Sequence, residues 1–113
     1  AAPHEVIAAE STSVNLFKLL VAALRVDPAR RTIVAEAENF PTDLHVAEGA
    51  AACVDGGRLE VVALEALADA LAPDTALLLL TQVHYKTAER FDLPAWTSAA
   101  HDAGAAVLWD LSH

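Results

Sequence analysis

The sequence has no methionine, one cysteine, seven basic residues and few aromatic ones: two Trp, one Tyr and three Phe. Each scarcity excludes something. A single cysteine, Cys53, makes no internal disulfide and no cysteine-based zinc site. Its setting, Ala50-Ala51-Ala52-Cys53-Val54, lacks the electropositive neighbours that activate a thiol, so it is expected to pack as a small apolar residue. Lys18, Lys86 and the Arg residues are scattered, and the net charge is −9. Nucleic acid, which draws on clustered Lys and Arg, is therefore not an expected partner. No run of about eighteen apolar residues is present, and no cationic leader with a cleavage site. The expectation is a cytoplasmic protein without membrane contact. His4, His45, His84, His101 and His113 share no short ligand spacing, and the His-Glu-x-x-His pair is missing, so no metal is expected.

What is present is apolar: 55% of the 113 residues are hydrophobic. A free-standing domain of this size leaves much of its surface in water. Such a composition suits the interior of a larger α/β body, and the apolar outer sides of several predicted helices read as partner surfaces.

Strand-like and helical runs alternate, the pattern of a mostly parallel sheet with helices on both faces. Glu5–Ala9 is a candidate strand. Ser11-Thr12-Ser13 offers hydroxyl caps for a helix that is apolar nearly all round, hence buried, and that ends before Pro28. Thr32–Ala37 reads as a strand and Glu38-Asn39-Phe40-Pro41 as a turn. Thr42 or Asp43 would cap a helix to about Cys53, and Asp55-Gly56-Gly57 is a turn. Leu59–Val62 reads as a strand, Leu64–Leu71 as a short helix, and Ala76–Leu80 as an interior strand running on to Val83. Pro94 starts a last helix that stops at Gly104. Ala105–Trp109 has no polar alternation and reads as a buried strand leading into Asp110.

Ligands in open α/β sheets collect outside the carboxyl ends of the strands, and four junctions there carry chemistry. Ser11-Thr12-Ser13 combines helix-start N–H groups with hydroxyls, a phosphate seat or simply a cap. Phe40-Pro41-Thr42-Asp43 sets an aromatic ring and a carboxylate on a stiff loop. The ring could stack on a planar ligand or plug the core. Thr81 and His84 follow the Leu-rich strand. Asp110 and His113 put a carboxylate and an imidazole at a strand end. Such a carboxylate wants a compensating group, such as a protonated heterocycle nitrogen, or else caps the next turn. Ser112, His113 and Asp110 do not make a hydrolase triad, since no nucleophile-elbow motif is present.

Taken together, Ser11-Thr12-Ser13-Val14-Asn15-Leu16-Phe17-Lys18-Leu19-Leu20, Asn39-Phe40-Pro41-Thr42-Asp43, Thr81-Gln82-Val83-His84-Tyr85-Lys86-Thr87 and Trp109-Asp110-Leu111-Ser112-His113 resemble, in order and spacing, the kynureninase family. These are pyridoxal-phosphate enzymes of the aspartate-aminotransferase fold (fold type I). The resemblance implies hydrolytic cleavage of the side-chain carbon–carbon bond of L-kynurenine, or of 3-hydroxykynurenine, to anthranilate-type products and L-alanine. It implies a homodimer acting in tryptophan breakdown. It also implies roles: Thr12 and Ser13 on the cofactor phosphate, Phe40 over the pyridine ring, and Pro41, Thr42 and Asp43 in the same loop. Thr81 would line the site, Asp110 would pair with the pyridine nitrogen, and His113 would support it.

Departures are also implied. The family's Schiff-base lysine lies beyond the Asp-x-x-His motif, and neither Lys18 nor Lys86 matches it. Residues 1–113 would then be part of the large domain, without that lysine or the small carboxy-terminal domain, and inactive alone. His45 stands where the family often has an aromatic residue, and Ser112 where it often has Ala. The alternatives are another enzyme of this fold, such as a cysteine desulfurase-like lyase, and a non-enzymatic α/β module binding a phosphate ligand or a protein.

Overall fold

A computed structural model describes residues 1–113. Four strands, β1 (Thr32–Glu36), β2 (Arg58–Val62), β3 (Thr75–Thr81) and β4 (Ala106–Asp110), form one parallel sheet in the order β2-β1-β3-β4. Helices α1 (Thr12–Val26), α2 (Pro41–Ala52), α3 (Leu67–Ala70) and α4 (Leu93–Asp102) cover it. This is the α/β architecture expected from the alternating runs.

Strand alternation divides the core in two. Ile33, Ala35, Leu77 and Leu79 point to one face, where Leu16, Leu20 and Leu24 of α1 and Ala47 and Ala50 of α2 meet them. Val34, Leu78 and Leu80 point to the other, against Leu67 of α3 and Ala100 of α4. Both faces of β1 and β3 are covered, so these central strands are buried throughout. The chain leaves β1 for one side of the sheet and β3 for the other. The winding therefore reverses between β1 and β3, and the carboxyl ends of these neighbours open a crevice.

Local chemistry fixes the helix ends. Ser11 Oγ accepts the Val14 N–H at 3.3 Å, and Asp92 Oδ1 accepts the Ala95 N–H at 3.0 Å. Gly104 ends the last turn at φ 77°, and a Cβ there would lie 2.5 Å from the Arg30 guanidinium. That guanidinium donates to the carbonyls of Thr75 and Ala103, tying the end of α4 to the start of β3.

Several expectations are corrected. Glu5–Ala9 is no strand. Pro3–Glu5 is a 3-10 turn closed by the Ala2 N–H on Glu5, and Ile7 stays 88% exposed without a sheet neighbour. Helix α1 buries one stripe only and leaves Val14, Phe17, Leu19 and Val26 exposed. Helix α2 begins at Pro41, whose fixed φ suits a first helical position, so Thr42 and Asp43 lie inside its first turn and cap nothing. Leu64–Leu71 splits into a 3-10 turn, Leu64–Ala66, and the one-turn α3. β3 stops at Thr81, and Val83 instead bridges Arg90 in antiparallel fashion. β4 is an edge strand, with Ala106 exposed and only Asp110 buried. Cys53 is exposed, because the turn after α2 sends Val54 inward instead.

The energetic weight lies where the two half-cores meet β3. In the full chain, Leu78→Ala is expected to lower the free energy of unfolding by about 2–5 kcal/mol. Glu10→Gln, which breaks only the exposed pair with Lys18, should stay within about 1 kcal/mol. Denaturant titration of both variants checks the contrast.

Candidate functional site

Three strand ends deliver the polar groups. β4 ends on Asp110, whose Cα partner across the sheet is Thr81, the last residue of β3. Both are buried. β1 ends at Glu36, and the turn after it carries Asn39, Phe40 and, one helical turn in, Asp43. Asn39 fixes this turn: its Nδ2 donates to the Leu79 carbonyl at 3.4 Å, and its Oδ1 accepts the Phe40 N–H at 2.7 Å. Glu36 Oε1 accepts the Glu38 N–H at 3.0 Å.

The dominant electrostatic feature is a pair of buried carboxyl groups, Asp43 and Asp110. Burial, the Asp110 charge and a hydrogen bond with Asp110, in that order, push the Asp43 carboxyl up to about 7. Two ionised carboxylates can only accept, and Asp43 Oδ2 is then buried without a partner. A proton held between them supplies one. Asp110 has further partners: its Oδ1 accepts the Ser112 N–H at 2.8 Å and the Ser112 hydroxyl, and its Oδ2 lies 3.8 Å from His113 Nε2. The turn-capping role open from the sequence is thus present, beside a second oxygen left to the cleft.

Rings wall the same corner. The His113 and Phe40 centroids are 4.7 Å apart, and Tyr85 meets Phe40 edge-on at 5.2 Å. Phe40 is half-buried, placed against these rings and not plugged into the core. A cavity of about 360 Å³ runs from Asp110 and Ser112 to Thr12 and Asn15 at the start of α1. Thr12 is exposed and Ser13 half-buried there, where the first N–H groups of a helix have no intrahelical acceptor.

The structure thus brings Thr12, Ser13, Phe40, Asp43, Thr81, Asp110 and His113 to one end of the sheet. Pro41 and Thr42 are exposed, and Pro41 lines a different cleft with Asn39, Tyr85 and Lys86. Tyr85 and Asn39 are the members that residue-by-residue reading did not single out. Their signal was position, immediately after the carboxyl ends of the two central strands.

The raised Asp43 group makes stability depend on pH with a definite sign. The folded state holds a proton that the unfolded chain releases near its ordinary value, so stability from this group is complete below about pH 4. It is lost as pH rises through about 7. Asp43→Asn, which keeps the shape without the charge, should remove that loss. Denaturation midpoints between pH 5 and pH 8, without ligand, are expected to fall for the parent chain and to stay flatter for the variant.

Comparison with known proteins gives a consistent relationship. The chain is 48% identical to a kynureninase of Pseudomonas fluorescens over 96% of its length. It is 43% identical to that of Deinococcus radiodurans and 44% identical to that of Burkholderia mallei, each over its whole length. It spans 27–29% of these relatives. Among solved structures, a cysteine desulfurase of Escherichia coli superposes with a TM-score of 0.71 over 87% of this chain and 27% of its own, at 19% identity, a likeness of fold. No protein-family model matches the chain.

Proposed function

We propose that residues 1–113 are part of the large domain of a kynureninase, and that their strand ends form much of a pyridoxal 5′-phosphate cradle. The observation that carries this reading is the buried carboxyl pair, Asp43 and Asp110. Two acids sharing one proton are unfavourable alone and complementary to a cationic N–H donor. A protonated pyridine nitrogen has that chemistry. The half-buried Phe40 ring, whose centroid lies 4.7 Å from that of His113 at the same strand ends, supports the fit.

When bound, the cofactor supplies an electron-accepting ring that stabilises a carbanion. This chain's residues supply binding and orientation. Asp110 would accept a hydrogen bond from the ring nitrogen, the Asp43 carboxyl would support Asp110 from beside it, and Phe40 would offer an aromatic face to the ring. Thr12 and Ser13 present N–H and hydroxyl donors to the phosphate at the start of α1. Thr81 lines the floor, and His113 braces Asp110. Pro41 and Thr42 act by shaping the loop.

The substrate in this reading is L-kynurenine or its 3-hydroxy form, within tryptophan breakdown. The enzyme is a cytoplasmic homodimer, and the exposed apolar residues of α1 are consistent with further covering surfaces. A desulfurase-like lyase shares the fold, but identities of 43–48% to kynureninases favour the hydrolase. Neither Lys18, paired with Glu10, nor Lys86, above the Tyr85 ring, matches the family's Schiff-base lysine.

In the full-length enzyme, Asp110→Ala should weaken cofactor binding roughly 10- to 100-fold, the range of a hydrogen bond to a charged group, and abolish anthranilate release. Absorbance titration with pyridoxal phosphate and a fluorescent anthranilate assay measure both. The 113-residue chain alone should release no anthranilate. Release above background would overturn that part of the reading.

A further inference from the structure

The turn after β3 is built around His84. Its ring is 7% exposed, and its Nδ1 accepts the N–H groups of Lys86 and Thr87, each at 3.2 Å. The His84 N–H donates to the Glu89 carbonyl at 2.8 Å, and the His84 carbonyl accepts the Ala88 N–H at 2.9 Å. One residue therefore closes the loop four ways. Ala88 sits at φ 59°, a left-handed conformation a side chain resists, so the turn is held in a strained shape.

Because Nδ1 accepts twice, the ring proton sits on Nε2. That atom is buried without a hydrogen bond, 3.5 Å from the Glu38 carboxylate on the turn after β1. The His84 ring also stacks on Tyr85, 5.3 Å away and 19° from parallel, and the Lys86 ammonium lies 5.3 Å from the Tyr85 centroid. Tyr85 in turn meets Phe40 edge-on, and its centroid is 6.2 Å from that of His113.

We infer that Tyr85, clamped by the His84 turn, is a positioning residue that sets the tilt of the Phe40 ring over the ligand site. Phe40 stands on a turn fixed at its base by Asn39, and its ring is touched from outside by Tyr85. The His84–Glu38 approach links the two turns, so the wall behaves as one unit. This rests on the cofactor reading for what the wall faces, but the clamp itself is a property of the bare chain.

The test uses the full chain. Tyr85→Phe keeps the ring, Tyr85→Leu removes it, and His84→Asn keeps a turn-capping acceptor while removing the stack and the Nε2 proton. Without cofactor, amide exchange across 38–43 should be faster in Tyr85→Leu and His84→Asn and unchanged in Tyr85→Phe. With pyridoxal phosphate, the first two should bind roughly two- to tenfold more weakly, the weight of one aromatic pair, with a reduced circular-dichroism band of the bound cofactor. Tyr85→Phe should match the parent. Parent-like exchange and parent-like cofactor dichroism in Tyr85→Leu would overturn the inference alone. Should that variant fail to fold, the same result in His84→Asn does so. A parent chain that binds no pyridoxal phosphate would overturn the cofactor reading, while the exchange result still decides the clamp.

Discussion

Two carboxyl groups held together out of water set the terms for everything around them. Asp43 and Asp110 approach from different elements, one from the first turn of α2 and one from the end of β4; no Lys or Arg forms an ion pair with either, and His113 Nε2 lies 3.8 Å from Asp110 Oδ2. Burial and mutual repulsion raise Asp43 to about 7. A fold does not gain stability from such a pair, and the arrangement makes physical sense as a seat for a cationic donor. Its position follows from topology. The winding reverses between β1 and β3, and the loops from those ends deliver Asp43, Phe40 and Tyr85 to the same corner as Thr81 and Asp110.

The rest of the molecule holds that corner still. The Leu-rich β3 is buried on both faces and carries Thr81 at its end, while Asn39 hydrogen-bonds across to the Leu79 carbonyl. Arg30 ties the far end of β3 to α4. The polar groups Thr81 and Asp110 therefore stand at the ends of strands held in the sheet, with Thr12 and His113 more exposed beside them.

Much of this could be read from residues alone, and the failures have physical causes. The central strands and the cap by Ser11 follow from local patterns: continuous apolar runs for buried strands, a hydroxyl before a helix. Ala105–Trp109 read as buried, and among the four strands described β4 is half-buried, paired with β3. The Val6-Ile7 pair is apolar enough for a strand, yet no sheet edge reaches it. Pro41 displaced the caps expected at Thr42 and Asp43, because a proline that fits the first helical position fixes the start. At the site, strand-end position pointed to Asp110 and Thr81, whereas the Asp43–Asp110 pairing joins residues distant in sequence and needed the fold. The approach of Tyr85 to Phe40 needed the fold in the same way.

The most direct test follows the Asp43 carboxyl itself. Carbon-13 NMR of labelled aspartate in the full chain, titrated with and without pyridoxal phosphate, reports its ionisation. The account predicts a midpoint near 7 in the free protein and a clear downward shift once the cationic ring nitrogen is bound. An Asp43 that ionises near 4 in both states would contradict it.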